Sequence, residues 1–435
     1  MNDGVRNLDL YFSADCNLNC KYCYIYKHKE KLQFYNNDIL EKINSGQFIE
    51  NIRNKCEKYK DNITSIGLWG AEPTLNASAA KKFFPELFNS FQNIERIFLS
   101  TNAVLGLSGI KPFIDTVREY NKENNKKIIL EVQFSLDGPE WITENTRGIG
   151  VTNYLLKAIE DVINYSKDLD DSYVSFRVKP TIDMEIIKQM NEDINKIIEW
   201  FCFFDNLYEK YKQYDKEGFE INFLGYPTIV NPDIYTIENG KEYAKFIKNI
   251  SSLDINYFKN YKHPLILQPI ASFRQDVLGK DLDSIRGYGA CSAGRGSLSM
   301  DKDGNIHSCH RFFNYMPCPE EGLDVIQHYF DVKTEKEIAK LNLLNLSYHN
   351  NFYSRFEFFK IIAKALAQYG QIDKVYLEND TNLLLLFCST ESIMCHFGQA
   401  EETKDPIIAQ TGYIKLLGNG ALQELMKYIR RYRII

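Results

Sequence analysis

Apolar positions along the 435-residue chain follow two different periods. Short, largely apolar runs occupy residues 8–12, 65–69, 96–100, 128–135, 173–179 and 219–224, as expected of parallel strands covered by helices. Between them, apolar residues recur at helical spacing. One stripe runs through Ile39, Leu40, Ile43, Ile49, Ile52, Cys56 and Tyr59, with a break at Gly46. Others are Phe83, Phe84, Leu87, Phe88 and Phe91, then Tyr154, Leu155, Ala158, Ile159, Val162 and Ile163. A longer stripe extends from Ile186 to Phe201, with Asp183 as its N-terminal cap. Six βα repeats predict an α/β fold, an open six-stranded (β/α)6 partial TIM barrel rather than a closed eight-stranded one. Chemistry in such a layout gathers at the C-terminal ends of the strands, so unusual residues should follow each strand.

Past residue 225 the pattern becomes irregular, with turn signals at Tyr226-Pro227-Thr228 and Asn231-Pro232-Asp233. This stretch reads as a bridge that also lines a cavity. Ser297 to Met300 then reads as a strand, residues 301–305 as a hairpin turn, and Ile306 onward as the return strand. Residues 356–366 and 422–432 carry helical stripes. The expected organisation is residues 1–225 as the barrel, 226–286 as the bridge and 287–435 as a C-terminal domain.

With 44% hydrophobic and 25% charged residues, the composition is that of an ordinary globular protein. A net charge of −6 argues against a dominant nucleic-acid or anionic-membrane surface. No basic start followed by an apolar core marks a signal peptide, and no run of about 20 apolar residues spans a bilayer. A cytoplasmic location is the expectation, and there ten cysteines are not expected to form disulfides. Cys56 and Cys202 sit in apolar helical patterns and read as core residues.

The candidate chemistry follows the strands. After the first come Cys16, Cys20 and Cys23 in a C-x3-C-x2-C spacing. Thiolates this close wrap a soft metal centre from one loop; a zinc knuckle short of a ligand, or three unrelated thiols, are the alternatives. Three ligands leave one iron of a four-iron cluster open. After the second strand come Gly70, Ala71, Glu72 and Pro73, small residues that let backbone approach a ligand, or else a plain βα turn. Thr101 and Asn102 follow the third strand, as polar ligands or as a helix cap. Ser135-Leu136-Asp137-Gly138-Pro139 follows the fourth, with Arg147 ten residues beyond Asp137; an Asp-Gly turn is the other reading. Arg177, inside the fifth strand, faces either the barrel mouth or a surface edge.

The cysteine loop, with Tyr22 before its third cysteine, resembles the signature of the radical S-adenosylmethionine (radical SAM) enzymes. Gly70-Ala71-Glu72-Pro73 resembles their Gly-Gly-Glu-Pro motif with Ala71 in place of the second glycine, and Asn102 stands where the family carries Thr-Asn-Gly. The Ser135 to Pro139 run, followed by Arg147, resembles the subgroup that modifies peptides and proteins. The resemblance implies a [4Fe-4S] cluster on Cys16, Cys20 and Cys23, with SAM on its open iron. It implies cofactor contacts from Tyr22, Gly70, Ala71, Glu72, Asn102, Ser135, Asp137, Arg147 and Arg177. Glu72 would meet the amino group of SAM, and Ser135 with its polar neighbours the carboxylate or ribose. An electron from a flavodoxin- or ferredoxin-type donor would cleave SAM to a 5′-deoxyadenosyl radical that takes hydrogen from a substrate carbon.

Further on, Cys291-x-Ala-Gly, the hairpin, Gly304-x4-Cys309 and His310-Arg311-Phe312 resemble the opening of the SPASM/twitch auxiliary domain. That implies an auxiliary [4Fe-4S] cluster on Cys291 and Cys309. The run of four further cysteines in a full SPASM domain is absent, and Cys318, Cys388 and Cys395 stand in the last third instead. One auxiliary cluster is feasible on these, with His310 or His396 as substitute ligands; two complete clusters are not supported. Cys388 and Cys395 would lie about 10 Å apart by rise on a continuous helix, too far for one compact cluster. The resulting expectation is a maturase acting on a ribosomally made peptide, forming a crosslink, thioether or epimer. A sulfatase-type maturase, which carries the full SPASM set, and a non-catalytic iron–sulfur electron-transfer or scaffold protein are the alternatives. Expected partners are a peptide or protein substrate and the electron donor, without nucleic acid or membrane. No leader-binding domain is expected before the first strand.

Overall fold

Alternation along each strand decides which side of the sheet the helices cover. The computed structural model describes residues 5–23, 25, 36–169, 173–215, 219–222, 228–229, 237–261, 297–307 and 310. In chain order the elements are β1 (Asn7–Ser13), α1 (Asn36–Ser45), α2 (Gln47–Cys56), β2 (Ser65–Gly70), α3 (Ala80–Ser90), β3 (Arg96–Thr101), α4 (Gly106–Asn124) and β4 (Ile129–Phe134). They continue with α5 (Glu140–Arg147), α6 (Val151–Lys167), β5 (Val174–Val178), β6 (Thr181–Ile182), α7 (Met184–Glu192) and α8 (Ile194–Tyr211). The last are β7 (Phe219–Asn222), β8 (Thr228–Ile229), α9 (Ile237–Tyr261), β9 (Ser297–Met300) and β10 (Ile306–His307). The chain divides into two units. One comprises Met1–Pro180, Phe203–Gly225 and Ala293–Glu320; the other comprises Thr181–Cys202, Tyr226–Ser292 and Glu321–Ile435.

In the first unit eight strands form one sheet in the order β10-β9-β1-β2-β3-β4-β5-β7. From β1 to β7 the neighbours run parallel in sequence order, which is the six-repeat βα pattern. Among the described residues β7 and β10 remain the sheet's two edges. The strands, read from the sequence as largely apolar, alternate between two faces. Leu8, Leu68, Leu99, Val132 and Phe176 are fully buried on one face. Asp9, Gly67, Phe98, Glu131 and Ser175 stand in register across five strands on the other. A two-residue side-chain period makes that separation.

Helices cover the apolar face. Ile110, Phe113, Ile114 and Val117 bury one stripe of α4, and Leu155, Ala158, Ile159, Val162 and Ile163 bury one of α6. Below β1, Phe12 packs on Phe83 and Phe113 at ring separations of 5.5 and 6.1 Å. Each such buried side chain contributes about 1.5–3 kcal/mol. Gly46, at φ 84°, breaks α1 from α2 as expected. Cys56 is buried with that helix, whereas Cys202 is only half-buried.

The second unit departs from the sequence reading in two places. The stripe from Ile186 to Phe201 splits into α7 and α8 at Asp193, which is extended and accepts the Asn195 amide at 3.0 Å. Asp183 caps α7 as expected, accepting the Ile186 amide at 3.0 Å. The stretch taken as an irregular bridge contains α9, whose Tyr243, Phe246, Ile247 and Ile250 form a buried helical stripe. Asn191 of α7 donates to the Glu242 carbonyl of α9 at 2.7 Å.

The hairpin of β9 and β10 turns at Asp301, whose carboxylate accepts the amides of Asp303 and Asn305 at 2.9 and 3.0 Å. β9 pairs in parallel with β1, from Asn7↔Ser297 to Leu10↔Met300. Asn51 of α2 donates to the Lys302 carbonyl at 3.1 Å, and Lys42 of α1 pairs with Asp303. Burial pushes the Asp303 carboxyl up, but Lys302 and Lys42 outweigh it and hold the carboxyl below its ordinary value. A depressed folded value stabilises above the unfolded pKa and is lost as pH falls through the folded one. Urea midpoints of Asp303→Asn should therefore lie below the parent's at pH 6 and converge with them toward pH 3. A gap that stays constant with pH would refute this origin of the hairpin's attachment.

Candidate active site

The cysteine loop leaves β1 without regular secondary structure, so its shape depends on what the neighbouring strand ends offer. The turn after β2 reaches it first. Ala71 donates its amide to the Ser13 carbonyl at 2.8 Å, and Glu72 to the Asp15 carbonyl at 2.9 Å. Gly70 sits at φ 116°, and a Cβ there would come within 2.0 Å of the Ser13 carbonyl oxygen. The small residue serves this approach of strand to loop.

Glu72 is 2% exposed. One carboxylate oxygen accepts from the Thr74 amide (3.1 Å), the Thr74 hydroxyl (2.6 Å) and the Thr101 hydroxyl (2.7 Å). The other accepts the Asn102 amide at 2.7 Å. Burial pushes its carboxyl up while these donors pull it down. The carboxylate braces the ends of β2 and β3 with four donors of the chain itself. Asn102 carries the brace onward: its side-chain amide donates to Asn17 Oδ1 at 2.7 Å and to Cys16 Sγ at 3.5 Å.

Asp137, after β4, is fully buried. It accepts the Tyr22 hydroxyl at 2.6 Å, the Thr146 hydroxyl at 2.7 Å, Arg147 Nε at 2.8 Å and a terminal Arg147 nitrogen at 2.9 Å. The other terminal nitrogen of Arg147 lies 3.8 Å from Cys20 Sγ. Lys21 donates its amide to the Thr146 carbonyl at 2.9 Å. Tyr22, Asp137 and Arg147, grouped by the sequence as cofactor contacts, thus bind one another and tie the loop to α5. Ser135 donates its amide to the Thr101 carbonyl at 2.9 Å, and no described residue bonds its half-buried hydroxyl.

The surroundings of the sulfurs suit thiolate ligands. Cys16 Sγ also faces the Leu18 amide at 3.4 Å, so the groups that point hydrogens at Cys16 and Cys20 are donors to the sulfurs, and a bound thiolate is an acceptor. Burial pushes Cys16 up to about 12 and Cys20 up to about 11; the Leu18 amide and Arg147, respectively, are the main opposing influences. Binding of a metal centre would therefore have to displace their protons. Among the described residues no three His, Cys, Asp or Glu side chains converge as ligands of a single ion. Cluster ligands sit on separate irons and need no single point.

Arg177 is engaged elsewhere. It pairs with Glu131 at 2.7 Å, its side chain 43% exposed, and Arg96 pairs with the other oxygen of Glu131. On the same sheet face Asp9 accepts Trp69 Nε1 at 2.8 Å and lies 3.3 Å from His310 Nδ1. The rings of Trp69 and His310 stack at 3.8 Å. Cys291, Cys309, Cys318, Cys388, Cys395 and His396 lie outside the described residues. Sequence reasoning missed Thr74, Thr101 and Thr146 as braces and Glu131 as the partner of Arg177. Only Glu131 had a signal, a carboxylate inside an apolar run.

Residues 10–178 match the family described as the radical SAM superfamily. A curated relative, the radical SAM cyclopropyl synthase TigE of Paramaledivibacter caminithermalis, is 24% identical over 357 residues, covering 78% of this chain. The chain spans 65% of that relative's length. Among solved structures, native anSMEcpe with bound AdoMet has a TM-score of 0.46 at 19% identity, covering 83% of this chain and 98% of that one. Streptococcus suis SuiB bound to S-adenosylmethionine has a TM-score of 0.43 at 13% identity, covering 93% and 76%. The family match gives the class of this part of the chain: residues 10–178 match a radical SAM domain.

Replacing Glu72 with Gln sets an amide NH2 against donors already in place. Leaving buried donors unmatched costs about 1–3 kcal/mol each, so Glu72→Gln should lower the thermal midpoint by several degrees. An unchanged midpoint would sink the brace.

Proposed function

We propose that this chain is a radical SAM maturase, with residues 1–225 as a (β/α)6 partial barrel. It cleaves SAM reductively at Cys16, Cys20 and Cys23 and takes a hydrogen atom from a carbon of a ribosomally made peptide. The outcome is a crosslink, a thioether, an epimer or a carbon ring; the last is the kind of product that the curated relative's name describes. The observation carrying this reading is the convergence of the ends of β2, β3 and β4 on one three-cysteine loop. A four-iron cluster on those thiolates, with SAM on its fourth iron, supplies the one-electron cleavage when bound.

The residues divide the remaining work. Asn102, the Leu18 amide and Arg147 donate toward the sulfurs. The half-buried Ser135 hydroxyl suits the carboxylate or a ribose hydroxyl of SAM, and the backbone of Gly70 and Ala71 its amino group. The polar sheet face, carrying Asp9, Glu131 and Arg177, suits the hydrogen-bonding groups of a peptide. Holding both reactants in near-attack geometry is the protein's own contribution. Cys291 and Cys309 are the proposed start of an auxiliary cluster.

Anaerobic reconstitution followed by dithionite and SAM tests the reading. The parent should release 5′-deoxyadenosine, Cys20→Ser should not, and Ser135→Ala should raise the KM for SAM about tenfold, roughly 1.4 kcal/mol. A parent that loads its cluster yet releases no 5′-deoxyadenosine would overturn it in favour of an electron-transfer protein.

A further inference from the structure

Arg147 is held more firmly than a cofactor contact requires. The residue is 8% exposed, and its guanidinium grips Asp137 through two nitrogens at 2.8 and 2.9 Å. It also lies 5.3 Å from the ring centre of Tyr22. The third nitrogen is thereby aimed at Cys20 Sγ, 3.8 Å away. Arg147 ends α5, where the helix dipole favours a cation. Asp137 holds the far side of the guanidinium, so the positive end is the one nearer the sulfur. A guanidinium keeps its charge under all working conditions.

We propose that Arg147 is a positioning residue whose fixed charge raises the reduction potential of the cluster at Cys16, Cys20 and Cys23. The inference rests on the reading above that a cluster binds there. Reduction adds an electron, so a cation and an N–H donor beside a ligating sulfur favour the reduced state; net charge and hydrogen bonds to sulfur are the protein's means of tuning such potentials. Asp137 acts in the opposite sense, offsetting part of the arginine's charge while fixing its direction. Of the other charged groups, Glu72 acts on Cys16 through its charge and favours the oxidised state.

The test is a redox titration of the reconstituted cluster, followed by electron paramagnetic resonance without SAM, in the parent and three full-length variants. Arg147→Met should lower the one-electron reduction equilibrium about tenfold, about 59 mV. Asp137→Asn should move it in the opposite direction, and Arg147→Lys should stay within about twofold of the parent. Should one of the first two fail to fold, the other decides: an Arg147→Met that stays put or rises, or an Asp137→Asn that stays put or falls, overturns the inference. A merely structural disturbance would move the first two the same way, and that result, or an unmoved Arg147→Met, overturns the inference while leaving the cluster reading intact. A parent that loads no cluster overturns both.

Discussion

A carboxylate removed from water must be met by donors, and two such carboxylates shape this site. Glu72 and Asp137 are both buried, and each accepts four hydrogen bonds from the chain. An unpaired buried charge costs several kcal/mol, so the surrounding turns have few other arrangements available. Glu72 fastens β2 to β3. Asp137 fastens α5 to the cysteine loop through Tyr22. With Asn102 reaching Asn17, a loop without regular structure is held from three sides.

The sheet separates duties in the same way. Its helix-covered face is apolar and supplies stability, while its other face carries Asp9, Glu131 and the arginines that flank Glu131. Pairing of β9 with β1 brings His310 against Asp9 and Trp69, so a segment late in the chain completes the polar face beside the cysteine strand. Gly67 is required there, since a Cβ would stand 2.4 Å from Asp9 Oδ1 and 2.5 Å from Trp69 Nε1.

The six βα repeats, the cysteine loop and the polar turns after successive strands were legible in the sequence, because strand period and motif spacing are one-dimensional signals. The work of individual polar residues was not. Whether Glu72 meets a ligand or Thr74, Thr101 and Asn102 depends on which donors the fold brings to it, and a threonine carries no mark of that. Asp137 and Arg147 were legible as a group, while the bonds between them were not. Strand alternation was overlooked although Asp9, Glu131 and Arg96 interrupt the apolar runs, and the stripe of α9 was hidden by the turn signals around it. For β9 nothing local announces pairing with β1, some 290 residues earlier.

Protein contacts alone pre-shape the cysteine loop before any cluster arrives. Amide hydrogen exchange on the cluster-free protein tests this most directly. Lys21, Ala71, Glu72 and Asn102, whose amides bond Thr146, Ser13, Asp15 and Glu72, should be protected to a degree comparable with the β2–β3 ladder. Exchange of these four amides at the rate of an unstructured chain, with that ladder protected, would contradict it.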